Sequence, residues 1–154
     1  MATPTYDLLD SVTLSTVGTS ITFSNINQGY RDLVLVASIE ADAYDSWTGL
    51  RFNGVAGDYR NLFTSNASVS YTSATEIRCY GLQNTNRGTL IAHIIDYAKT
   101  DRNKGVIGTG GSLSVGMYSG RFTSNAAVTS LTLFGGQGLE WAAGTTVSIY
   151  GIAG

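Results

Sequence analysis

Short apolar runs, rich in Val, Ile and aromatic residues, alternate with polar positions along this chain and end at Gly, Ser, Thr or Asn. A period of two between apolar positions is typical of strands with one buried face, and small polar residues between such runs are typical of turns. We interpret the pattern as about ten short strands, mainly antiparallel, and predict no helix, although residues 57–66 could hold one helical turn. The segments with this pattern are residues 6–15, 20–24, 32–40, 47–53, 57–64, 67–72, 75–82, 88–98, 105–108, 112–119, 127–134 and 145–152.

Two of these segments are predicted to be central strands of a sheet. Residues 32–40 are apolar on both faces, which is typical of a strand that is flanked by two others and covered on both sides. Residues 88–98 are interpreted in the same way. At the start of the chain, alternation in residues 6–15 predicts one shared face for four side chains, those of Tyr6, Leu8, Val12 and Leu14.

The fold class that follows is all-β, with residues 1–154 forming one β-sandwich or jelly roll. No shift in composition, Pro-rich linker or charge block divides the 154 residues. Exposed sheet edges promote aggregation, so the edges are expected to be short, bulged or covered by a partner subunit. The 19 glycines would supply the bulges and the turns with positive φ.

The charge content of the chain argues against two classes of binding partner, namely nucleic acid and anionic membranes. Charged residues make up 13% of the chain, the formal net charge is −2, and no basic stripe is present. Binding to nucleic acid or to an anionic membrane is therefore not expected. Protein interface cores are depleted of Lys, Glu and Asp, so a surface of uncharged polar residues suits lasting contact with other proteins. The first residues lack the features of a signal peptide, and no apolar run reaches the ~20 residues of a spanning helix, so synthesis in the cytoplasm is expected.

Candidate chemistry is sparse, and we expect no enzyme, no cofactor and no metal. The single His93 has no second His or Cys to share a metal with, and is interpreted as a half-buried, hydrogen-bonded strand residue. The single Cys79 is interpreted as a half-buried strand residue. Glu40, Asp42 and Asp45 could offer oxygen ligands to Ca²⁺, but their spacing does not match an EF-hand loop, and a solvated loop is the alternative.

Five residues are candidates for an interface. Trp47, Trp141 and Tyr44 could stack on a sugar ring or anchor a protein contact. The alternative for the two tryptophans is that each caps one end of the core. Arg121 and Phe122 are predicted to form an Arg–aromatic pair at a loop tip, a composition enriched in interfaces.

Several segments occur in an order that resembles a family of structural virion proteins. They are Tyr6–Leu9 with Val12–Leu14, Ile21–Ile26 with Tyr30–Val36, Leu50–Gly54, His93–Tyr97, Val128–Leu133 and Gly144–Ile152. The family is found in tailed phages, often marine and cyanobacterial ones. At Ile94–Tyr97 this chain reads Ile-Ile-Asp-Tyr where relatives often have Ile-Pro-Asn-Tyr.

The resemblance implies a jelly-roll domain that decorates or cements a capsid, commonly as a trimer, or that belongs to a tail or fibre. We therefore expect a protein of the virion surface that binds major capsid subunits as a symmetric oligomer, with a trimer as the expected state. The alternative is a tail or fibre component that binds host surface glycan. A glycan-cleaving enzyme would need two carboxylates facing each other across a cleft, and the sequence pairs none. The matching motifs are framework residues and imply no catalytic ones.

Overall fold

The computed structural model describes residues 5–41, 46–65, 68–82, 87–112 and 115–154. These residues form twelve strands, one turn of 3₁₀ helix at Gly136–Gly138, and no α-helix. Each predicted segment overlaps one strand, and the segment suggested for a helical turn is a strand instead. The strands are β1 (Tyr6–Thr13), β2 (Ser20–Phe23), β3 (Asp32–Glu40), β4 (Ser46–Phe52), β5 (Tyr59–Ser65), β6 (Ser68–Ala74), β7 (Ile77–Leu82), β8 (Arg87–Ile95), β9 (Lys104–Gly111), β10 (Val115–Phe122), β11 (Leu131–Gly135) and β12 (Thr146–Ile152).

The strands form two antiparallel sheets. The larger sheet has eight strands in the order β1-β12-β3-β8-β9-β10-β5-β6, and the smaller has four in the order β2-β11-β4-β7. Strands β3 and β8 lie side by side in the middle of the larger sheet, which confirms their prediction as central strands.

The pairing of the strands is nested. Strand β1 pairs with β12, β2 with β11, β3 with β8 and β4 with β7. The first half of the chain thus runs against the second half as one long hairpin, which is rolled so that successive pairs lie in alternate sheets. This arrangement is that of a jelly roll. Two further hairpins, β5–β6 and β9–β10, extend the larger sheet beyond β8.

The core lies between the two sheets and is built by alternation along the strands. In β3, the side chains of Leu33, Leu35, Ala37 and Ile39 are buried, while Val36 between them is exposed. Apolar side chains of β2, β4, β7 and β11 close the core from the smaller sheet, namely Ile21, Phe23, Leu50, Phe52, Ile77, Cys79, Leu131 and Leu133.

A bulge changes the predicted face of β1. The register against β12 shifts between Leu8 and Asp10, so Leu9 is an extra residue in β1. Leu9 and Val12 pack against the core, whereas Tyr6 and Leu8 are exposed. The expectation that Tyr6 and Leu8 share a face with Val12 is wrong, because one inserted residue exchanges the two faces of a strand.

Candidate interaction surfaces

Trp141 is a core residue. Its side chain is fully buried. Two backbone hydrogen bonds join it to Gly18: the Gly18 N–H donates to the Trp141 carbonyl at 3.0 Å, and the Trp141 N–H donates to the Gly18 carbonyl at 2.7 Å. These bonds fix the segment after β11 against the turn between β1 and β2. Trp141 therefore does not offer a surface for stacking, and its side chain belongs to the core, in line with the alternative interpretation.

Arg121 and Phe122 lie within β10 and not at a loop tip. Strand alternation separates them, because Arg121 faces solvent while Phe122 is fully buried. The Phe122 ring stacks on Tyr59, with 5.0 Å between ring centres, and meets Phe52 edge-on at 5.6 Å. Phe122 belongs to an aromatic core cluster, so its prediction as an interface residue is wrong. Of the pair, only Arg121 remains a candidate interface residue.

Trp47 lies half-buried on the outer face of the smaller sheet. Its indole packs against Gly49 and Gly136, where any side chain would clash with the ring. The Arg78 guanidinium carbon lies 4.6 Å from the ring centre, and Phe134 meets the indole edge-on at 5.9 Å. A sugar stacking on Trp47 would have to compete with Arg78 for the ring. Tyr44, the remaining candidate, lies outside the described residues.

Two arginines on this face share one buried carboxylate. Glu76 is almost fully buried and lies 3.1 Å from Arg51 Nη2 and 3.6 Å from Arg78 Nε. The Arg51 guanidinium carbon also lies 4.5 Å from the centre of the Phe134 ring. The outer face of the smaller sheet thus carries a continuous stack in the order Arg51, Phe134, Trp47 and Arg78. Glu76 forms ion pairs with the arginines at both ends of this stack. Sequence reasoning missed this group because the stacked side chains come from β4, β7 and β11, and Glu76 comes from the turn before β7.

A shallow depression lies beside this stack. Its volume is about 420 Å³, and the residues around it are threonine, serine and glycine apart from one arginine and one phenylalanine. Its described lining includes Thr19, Ser20, Arg51, Thr132 and Phe134.

The outer face of the larger sheet carries an apolar patch, formed by Val36, Ile91, Ile107 and Met117. These side chains are 38%, 48%, 53% and 61% exposed, respectively. They come from four adjacent strands, with Val36 directly opposite Ile91 and Ile107 diagonal to Ile91. Met117 lies in the same row as Ile91, beyond Thr109. Met117 is also diagonal to Ile107. Contiguous apolar surface of this kind marks interaction sites more often than scattered apolar residues do.

Charged groups of this face lie towards its ends. At one end, Arg87 Nε donates to Glu40 at 2.8 Å. At the other end lies Asp32, a buried carboxylate that accepts the Arg31 Nε–H at 2.8 Å and the Asp96 backbone N–H at 2.9 Å. His93 Nε2 is 3.4 Å from the same carboxylate, and its side chain is partly exposed, as predicted. The predicted hydrogen bond is not found for Nε2 among the described residues. The middle of the face, where the patch lies, therefore contains apolar and uncharged polar side chains beside one histidine.

Asp32 should make the stability of the fold depend on pH. Burial alone would raise the pKa of this carboxyl, but the Asp96 N–H and the Arg31 guanidinium outweigh burial and hold the pKa below its usual range. Asp32 therefore stabilises the fold above its unfolded pKa of about 3.9, and this contribution is lost as the pH falls through the lower, folded pKa. The variant Asp32→Asn should flatten the loss of stability between about pH 5 and pH 2 in urea unfolding curves.

A matched control for this prediction is Asp101→Asn. Arg102 lowers the pKa of Asp101 to about 2, but both side chains are largely in solvent, which screens their attraction. Asp101→Asn should leave the acid limb of the stability curve almost unchanged. An Asp32→Asn curve parallel to that of the unmodified protein would show that Asp32 is not the responsible group.

The single thiol is buried, and the described carboxylates form no group suited to a metal ion. Cys79 is fully buried, more so than predicted, and burial raises the pKa of its thiol to about 12, which keeps it unreactive. Within the described ranges, no group of three or more His, Cys, Asp and Glu side chains is placed to hold a metal ion. Asp42 and Asp45 lie outside those ranges. A helix long and apolar enough to cross a membrane was not found among the described residues.

Comparisons with known proteins give no family for this chain. No family model matches it, and no curated protein matches it. Among solved structures, it is similar to a protein of unknown function from Shewanella oneidensis MR-1, with 12% sequence identity and a TM-score of 0.29. The match covers 99% of this chain and 78% of that chain. A likeness with so low a TM-score carries no argument about fold or function.

Proposed function

We propose that this protein is a structural component of a virion, of the capsid decoration or cement type, and works by docking its larger sheet onto major capsid subunits. The observation that carries the docking proposal is the apolar patch of Val36, Ile91, Ile107 and Met117 on the outer face of that sheet. The virion setting comes from the resemblance in the sequence. Jelly rolls are common among viral capsid and lectin domains, so the fold is compatible with both the proposal and its glycan-binding alternative.

The dimensions of the face suit a protein interface. Its eight strands are seven to nine residues long. With strands about 4.8 Å apart and a rise of about 3.3 Å per residue, the face has an area of roughly 900 Å². A standard protein interface buries about 800 Å² on each partner, so the face is large enough for one. Charges at the ends of the face would lie at the rim of the contact, where water screens them, so binding should tolerate salt.

Symmetry would strengthen this docking. A trimer presents three copies of the face, and the second and third contacts form at high effective concentration once the first has formed. Modest affinity of each copy would then give lasting attachment. The proposal includes no chemical step, and the described residues form no group that is placed to hold a metal ion.

The location of the protein in the particle tests the proposal. We expect quantitative mass spectrometry of purified particles to find many copies, and immunogold electron microscopy to place them over the head. Labelling confined to the tail would overturn the decoration role and support the tail or fibre alternative. Absence from purified particles would overturn both.

A further inference from the structure

We propose that the depression beside Arg51, on the outer face of the smaller sheet, binds a carboxylated sugar unit of the uronic acid type. The inference goes beyond capsid decoration and uses the sheet opposite to the apolar patch. The two proposals can therefore fail independently.

Arg51 is held in place and keeps one donor for a ligand. Its Nε donates to the Thr75 carbonyl at 3.2 Å, its Nη2 donates to Glu76 at 3.1 Å, and its guanidinium lies over Phe134. Within the described residues, no hydrogen-bond partner is found for Nη1. A fixed guanidinium loses little conformational entropy on binding, and its hydrogen bond to a carboxylate is stronger than one between neutral groups.

The remaining lining suits a ligand rich in hydroxyl groups. Thr19, Ser20 and Thr132 place hydroxyl-bearing residues around the depression. The Thr132 hydroxyl is 2.9 Å from that of Thr22, so one of the two keeps its proton for another acceptor. Gly54 and Gly138, which are exposed, leave the backbone accessible.

Charge selects among such ligands. Arg51 is the one cationic residue in the described lining, and no acidic residue is part of it. A single guanidinium matches one carboxylate, which it binds through charge-assisted hydrogen bonds. The volume of about 420 Å³ lies within the range of roughly 300–1,000 Å³ typical of small-molecule sites, and accommodates one sugar ring.

Two sugars that differ only in the required group provide the test. Methyl β-D-glucuronide and methyl β-D-glucoside share one ring, and only the first has a carboxylate. In ¹H–¹⁵N NMR titrations of the full chain, we expect the glucuronide to shift amide signals of residues 19–20, 51, 54 and 132–138. The glucoside should bind at least about tenfold more weakly, since a charge-assisted hydrogen bond contributes about 1.5 kcal/mol or more.

Arg51→Gln and Arg78→Gln form a matched pair of variants. Both arginines contact Glu76 and both lie over an aromatic ring, but only Arg51 lines the depression. The glucuronide shifts should disappear in Arg51→Gln and persist in Arg78→Gln. Thr132→Val, which leaves Glu76 and its arginines untouched, should weaken binding several-fold while preserving the spectrum of the free protein.

Four outcomes would overturn the inference. They are an absence of shifts with the glucuronide, equal binding of both sugars, equal loss of binding in both arginine variants, and identical shifts produced by sodium acetate. The last outcome would identify a site for simple anions. None of these outcomes bears on the copy number or location of the protein in the particle.

Discussion

Replacing Gly108 by alanine should destabilise the protein by about 3 kcal/mol or more, because the new methyl group has no room and would displace a buried hydrogen bond. Gly108 lies in β9 directly opposite Tyr118 of β10. The Tyr118 ring crosses over Gly108, and its hydroxyl donates to the Ile91 carbonyl in β8 at 2.9 Å. A Cβ at Gly108 would lie well inside van der Waals contact with both the ring and that carbonyl oxygen.

Gly105→Ala is the control for this substitution, since it lies in the same strand. A Cβ at Gly105 would be in ordinary contact with Ile95, at 3.8 Å. This variant should keep or slightly raise stability, because alanine restricts the unfolded chain more than glycine does. In thermal unfolding followed by circular dichroism, the midpoint of Gly108→Ala should fall by about 10 °C. Equal midpoints for the two variants would show that β8, β9 and β10 adjust easily around Tyr118.

The positions of the strands could be predicted from the sequence because local alternation decides them. The apolar pattern predicts a strand over residues 32–40, and β3 has the same bounds in the structure. The nested pairing was not accessible in the same way. It joins β1 to β12 and β4 to β7, and such long-range contacts leave no trace in the period of a single segment.

The exposure of the candidate site residues likewise could not be predicted from local sequence pattern. The order Arg121-Phe122 is ambiguous by itself, because in a loop both side chains can be exposed, whereas in a strand one must point inward. The structure places both residues in β10 and buries Phe122. Trp47 and Trp141 could not be distinguished either, since their contacts are with Arg78 and Gly136 in one case and Gly18 in the other, which are distant from them in the sequence.

The apolar patch did leave a signal in the sequence. Ile91 lies between Leu90 and Ala92, so its segment is apolar on both faces. This pattern predicts a central strand, which is correct for the position of β8 within the sheet. Two kinds of central strand show this pattern: one that the protein itself covers on both faces, and one that it covers on a single face while the other face is an interface. The two cases differ only in what covers the outer face, and the structure leaves Ile91 48% exposed.

Ile91→Glu should abolish docking of the protein onto capsids while preserving its fold. Ile91 lies in the middle of the patch, where docking would remove a new carboxylate from water without a partner. Such burial costs several kcal/mol, so affinity should fall at least about a hundredfold. The measurement adds purified variants to particles that lack the protein, and quantifies the copies retained after sedimentation.

Val17→Glu provides the control, because Val17 is 50% exposed but lies in the turn after β1, away from the patch. At Val17, the same change from an apolar side chain to a carboxylate should not alter the number of copies retained on the particles. Circular dichroism and sedimentation velocity on the free variants check that fold and oligomeric state are preserved. Retention of Ile91→Glu at the level of Val17→Glu would show that capsid subunits contact another surface. Loss of both would indicate a general effect of added negative charge, and the patch would then have no special part in docking.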